Sequence, residues 1–114
     1  MNSRAVQRWN EAAHGPLSEA AIRKLYMPPE NYRVSAFRYP AGTIFSGSMR
    51  SGQAYVIEGS CEYRFSEISE PISLSAGETV QLPEGEYEME VTSTDPVYLV
   101  LVWEIPPEFR VRVH

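Results

Sequence analysis

The sequence predicts an all-β domain, a sandwich or jelly-roll barrel of about eight short strands behind a short helical segment. Two observations carry that reading. From residue 31 to 114 short apolar runs are broken at close intervals by turn residues, and most of the 7 glycines and 9 prolines fall between those runs. Residues 1–30 instead carry helix-like text and stop at a double proline.

In the first region Ser18 is placed to cap a helix over Glu19–Leu25, with Glu19 in its first turn. Pro28-Pro29 ends it, because neither ring nitrogen has a proton and each restricts the residue before it. Arg4–Ala13 is a further helical candidate, cut short by His14-Gly15-Pro16. Strands are expected at Tyr32–Tyr39, Ala54–Gly59, Cys61–Phe65, Ile72–Leu74, Thr79–Leu82 and Tyr87–Val91. Val97–Trp103 is apolar on both faces, which predicts a central strand covered on each side. Phe109–Val113 alternates and reads as an edge strand, its Arg110 and Arg112 discouraging edge-to-edge pairing. The domain division expected is 1–30, a helical segment packing on the barrel or on a dimer partner, and 31–114, the barrel.

Composition narrows the function classes. The 114 residues suit one domain, and 43% hydrophobic with 22% charged residues is ordinary for a globular chain. A net charge of −5 is the wrong balance for nucleic acid or an anionic membrane, while leaving room for a local basic pocket. Cys61 is the single cysteine, so no intramolecular disulfide forms and a reducing compartment is expected. The start lacks the apolar stretch of a signal peptide, and no apolar run reaches membrane-spanning length; the cytoplasm is the expected location.

Two stretches share a specific frame. Gly42 opens the first and Tyr55-Val56-Ile57-Glu58-Gly59 closes it; the second is Gly77-Glu78-Thr79-Val80-Gln81-Leu82-Pro83-Glu84-Gly85. Together they resemble the paired motifs of the cupin superfamily over roughly residues 32–105. The resemblance implies a double-stranded β-helix, the cupin jelly roll. It also implies a metal held by three imidazoles and a carboxylate, at positions falling here on Ser48, Arg50, about Gly52, and Glu88. Those positions have lost their histidines, and the chain has only two, His14 and His114. A guanidinium offers donors alone, so Arg50 is no ligand for a cation. No metal or other cofactor is therefore expected.

For Arg50 the plain reading comes first: it sits in a loop or at the barrel rim in a weak surface pair. The functional alternative makes it a fixed charge standing in for the metal, able to grip an anionic ligand, with Glu88 as internal partner and Arg38 pointing the same way. Glu88 carries a conflict. The family frame turns it inward, whereas the alternation of Tyr87, Met89 and Val91 with three glutamates turns Tyr87 and Met89 inward, and alternation is favoured. Candidate pocket residues are thus Arg38, Ser48, Arg50, Tyr87, Glu88, Met89 and Trp103. Cys61 and His14 are read as a small buried hydrophobe and an exposed side chain, and no catalytic residue is assigned.

Three functions remain open on the sequence. The leading one is a metal-free binding or accessory protein for a small organic molecule, an anionic one being favoured by Arg50. The second is a metal-independent lyase, isomerase or cyclase using Arg50, Glu88 and tyrosines, whose mark would be a buried carboxylate with raised pKa beside a cavity. The third is an interaction module whose barrel is packed solid by Phe45, Met49, Tyr87, Met89 and Trp103. A homodimer is expected, because Trp9, Ile22, Leu25 and Tyr26 make the first segment apolar and small cupins often pair.

Overall fold

The change of period after Asn31 separates a helical lead-in from two antiparallel sheets in the computed structural model, which describes residues 5–109. The first residues form β1 (Gln7–Arg8), α1 (Glu11–His14), α2 (Glu19–Lys24) and a 3-10 turn at Pro29–Asn31. Eight strands follow: β2 (Tyr32–Tyr39), β3 (Ile44–Met49), β4 (Gly52–Glu58), β5 (Ser60–Phe65), β6 (Ile72–Ser75), β7 (Glu78–Leu82), β8 (Gly85–Val91) and β9 (Val97–Glu104). One sheet runs β1-β7-β4-β9-β2 and the other β3-β8-β5-β6.

β9 holds the layers together. Val97, Leu99 and Leu101 enter the core between the sheets, while Val100 and Val102 enter a second core under α2. The strand lies between β4 and β2, so a run apolar on both faces is covered on both, as the sequence predicts. The inter-sheet core draws Ala54, Val56, Val80 and Leu82 from one sheet and Cys61, Leu74, Met89 and Val91 from the other. The outer core sets Ile22 of α2 against Tyr55, with Trp9, Leu17 and Tyr26 packed around them. Tyr26 and Tyr55 share a short hydrogen bond between their hydroxyls, and Trp9 Nε1 donates to the Gly15 carbonyl at 2.8 Å. The apolar side chains of the lead-in Trp9, Ile22 and Tyr26 are thus seated on the five-stranded sheet.

α2 starts as expected: the Ser18 side chain accepts from the Ala21 amide at 3.0 Å. Elsewhere the structure departs from the sequence reading. Arg4–Ala13 is not one helix, since Gln7 and Arg8 pair with Thr79 and Glu78 at a sheet edge and a short helix begins only after Asn10. β3 carries no strand signal in its sequence, because Ile44-Phe45-Ser46-Gly47-Ser48-Met49 is half serine and glycine; only Phe45 and Met49 reach the core. Pro107–Phe109 forms a 3-10 turn where the last strand was expected to begin, and Arg110 and Arg112 lie outside the described residues, as does His114.

Gly59 shows why one turn needs glycine. Its φ is +79°, and a Cβ there would stand 2.6 Å from the Pro96 carbonyl oxygen, so the β4–β5 turn admits no side chain.

Alternation settles the direction of β8. Met89 is completely buried, whereas Glu88 lies on the outer face with 46% of its side chain exposed. Arg64, directly opposite Glu88 on β5, gathers Glu62, Glu88 and Glu90 at 2.5, 2.6 and 3.1 Å. One guanidinium thus serves three carboxylates that would otherwise repel each other across the strands. The expectation that Glu88 partners Arg50 inside the barrel is corrected accordingly.

Truncating Met89 to Ala should cost about 2–5 kcal/mol in chemical denaturation, because it empties a closed site. Glu88→Ala should leave the midpoint near that of the parent chain. Burial pushes the Cys61 thiol up to about 12 from 9.0. An unfolded thiol ionises near its ordinary value, so this contribution to stability is complete below about pH 8.5 and is lost as pH rises toward 12. Cys61 should therefore stay unreactive toward a disulfide reagent at pH 8.5 in native protein and react once it is denatured. The melting temperature should fall above that pH.

Candidate functional site

A cavity of about 480 Å³ opens at one end of the barrel, between the two sheets. Strand register locates it. Arg33 faces Trp103 across β2 and β9, and Met49 faces Gly85 across β3 and β8, all at the open end. At the opposite end Cys61 faces Val91 and Leu74, and all three are buried. The chain closes the barrel there and leaves space where β2 begins and β3 and β9 end.

The wall is aromatic. Phe37 and Tyr39 of β2, Phe45 of β3, Tyr63 of β5, Tyr87 of β8 and Trp103 of β9 all line it. Phe45 and Tyr87 meet edge to face at 6.2 Å, and Tyr63 lies 5.5 Å from Tyr87. Burial raises the pKa of Tyr39, Tyr63 and Tyr87, and for Tyr63 the neighbouring Cys61, Tyr87 and Tyr39 raise it further. These phenols are neutral at physiological pH, able to donate and accept hydrogen bonds but not to act as bases. Gly47, opposite Tyr87, makes room for it: a Cβ there would stand 3.1 Å from the Tyr87 hydroxyl.

The mouth is charged. Arg33, Arg50 and Glu104 line it beside Ile105, Pro106 and Phe109, the last 67% exposed. Trp103 Nε1 donates to the Arg50 carbonyl at 3.2 Å, tying the β3–β4 turn to β9. Arg50 and Glu104 also line a polar groove that continues over the rim past Ser51, Gln53 and Gln81.

Of the residues expected in the pocket, Ser48, Arg50, Tyr87 and Trp103 line this cavity. Three do not. Met89 is sealed in the core beneath it, and Glu88 is on the outer face with Arg64. Arg38 lies outside as well: its guanidinium sits 3.8 Å from the centre of the Tyr98 ring and 3.9 Å from Glu58. On β2 the inward set is Arg33, Phe37 and Tyr39, so Arg38 has the wrong parity and Arg33 is the inward arginine. Counting by twos from Tyr39 would have found it.

The residues do not fit the metal that the motif resemblance implies. The described lining holds no histidine or cysteine, and among the described residues no group of three or more His, Cys, Asp or Glu is arranged to hold an ion. Glu88 points out of the barrel and Arg50 stands at its mouth. At Gly52 a Cβ would lie 2.8 Å from Trp103 Cδ1 and 2.7 Å from the Val102 carbonyl oxygen, so the indole occupies the space a ligating side chain would need. Gly52→Ala should cost roughly 1–3 kcal/mol through overpacking and displace the indole, read as a changed near-ultraviolet dichroism with the far-ultraviolet spectrum preserved.

No protein-family model matches the chain, and no curated protein matches it. Solved structures do. A cupin domain of an XRE family transcriptional regulator from Enterobacter cloacae aligns with a TM-score of 0.58 at 13% identity, over 92% of this chain and 99% of that one. The Cnp3 cupin domain of Schizosaccharomyces pombe gives 0.58 at 12% identity, over 71% of this chain and 61% of its own. The DMSP lyase DddQ from Ruegeria pomeroyi gives 0.56 at 20% identity over 69% of this chain, which spans only 41% of the lyase. At such identities the likeness concerns fold alone. Two antiparallel sheets facing each other around a cavity open at one end give this chain the cupin β-barrel fold.

Proposed function

We propose that this chain is a binding protein for a small, largely apolar organic molecule held inside the barrel without a metal. The observation that carries the reading is the open aromatic cavity of about 480 Å³, a size and lining suited to a ligand of drug-like dimensions. Rings at the edges of such a space gain contact area from a guest at little conformational cost. Three neutral phenols supply hydrogen bonds to orient it.

The rival readings have less support. A barrel used only as a packed interaction module has no need of a cavity this large. An enzyme of the lyase or isomerase class needs a proton acceptor, ideally a carboxylate whose pKa is raised by burial. The one carboxylate of the described lining, Glu104, is exposed at the rim. Homodimerisation and a cytoplasmic location remain part of the proposal, resting on Leu25 of the lead-in, which is left 41% exposed beside the seated Ile22, and on the single cysteine. No helix among the described residues is long and apolar enough to cross a membrane.

N-phenyl-1-naphthylamine, a neutral fluorescent probe of apolar sites, should bind the full chain saturably at one per protomer with a blue-shifted emission. Leu101→Trp, which fills the cavity wall, should weaken that binding by about tenfold or more while leaving the far-ultraviolet dichroism of the barrel in place. Absence of saturable binding to the parent chain would overturn the reading.

A further inference from the structure

Resting on that reading, we infer that the ligand is an amphipathic monocarboxylate whose apolar body enters first and whose carboxylate stays at the mouth between Arg33 and Arg50. The argument starts from where charge is and is not. Past the rim the described lining is aromatic and aliphatic, with phenols as its main polar side chains. An ionised group carried to that depth would lose its hydration with no opposite charge to replace it. The acid must therefore sit at the end of the molecule that remains outside.

At that end two guanidiniums wait. Arg23, Arg38 and Arg64 each have a carboxylate within 4 Å, whereas Arg33 and Arg50 have none among the described residues. They reach the rim from different strands, Arg33 at the start of β2 and Arg50 just after β3. The indole hydrogen bond of Trp103 fixes the backbone that carries Arg50, so the position of its guanidinium is limited before a ligand arrives. A planar fork of donors matches a carboxylate. With one basic mouth and no cationic side chain deeper in the described lining, there is a place for one acid group rather than two.

The test is displacement of N-phenyl-1-naphthylamine from the full chain by three competitors. 3-Phenylpropanoate carries the proposed body and acid, 3-phenylpropanamide has the same shape without the charge, and succinate has charge without an apolar body. The acid should displace the probe at a concentration about tenfold lower than the amide, an advantage that shrinks in high salt because the arginines are solvent-exposed. Succinate should not compete. The double variant Arg33→Gln, Arg50→Gln should still bind the probe but treat acid and amide alike. Equal displacement by acid and amide in the parent chain, no displacement by either, or an acid preference that survives in the double variant would overturn the inference while leaving probe binding intact. Failure of the probe itself to bind would instead overturn the binding reading beneath it.

Discussion

Strand parity is the constraint on which this molecule turns. β9 is apolar at every position from Val97 to Trp103, and it works only because each face finds a different partner. Odd positions face the opposite sheet and even positions face α2 and the Tyr26–Tyr55 pair. A slip of one residue would exchange the two cores, putting Val100 and Val102 between the sheets and Leu99 and Leu101 under the helix. Register in β9 then fixes β2 and β4, which pair with it along their length. Arg33 and Trp103 reach the mouth for no other reason than their place in that count.

Where the hydrophobic pattern was dense, the sequence was legible. The central strand, the helix capped by Ser18 and six further strands could be read from spacing alone. β3 could not, because its serines and glycine hide a two-residue period behind a single pair of core side chains. β1 is too short to have a period, and its pairing with β7 is a tertiary fact.

The site was legible by half. Tyr87 and Met89, chosen from alternation, both turn inward, Tyr87 to the cavity wall and Met89 to the core beneath it, and Trp103 of the apolar run also lines the wall. Counting through the motif reached the cavity at Ser48 and Arg50 but failed at Glu88, which like Arg38 lies on an outer face. A motif frame transfers backbone positions well, but a side chain's direction follows the burial of its own neighbours. Glu88 and Glu90 of β8 and Glu62 of β5 are brought together around Arg64, and that compensation is invisible until the strands are paired.

The same cluster gives the molecule an uneven surface. Three carboxylates around one guanidinium leave the outer face of the four-stranded sheet with an excess of negative charge, while Arg33 and Arg50, with no carboxylate partner among the described residues, mark the barrel's open end. A small anion approaching in dilute salt meets repulsion along one flank and attraction at one opening. Its encounters are thereby funnelled, before any contact forms, toward the place where the wall is open.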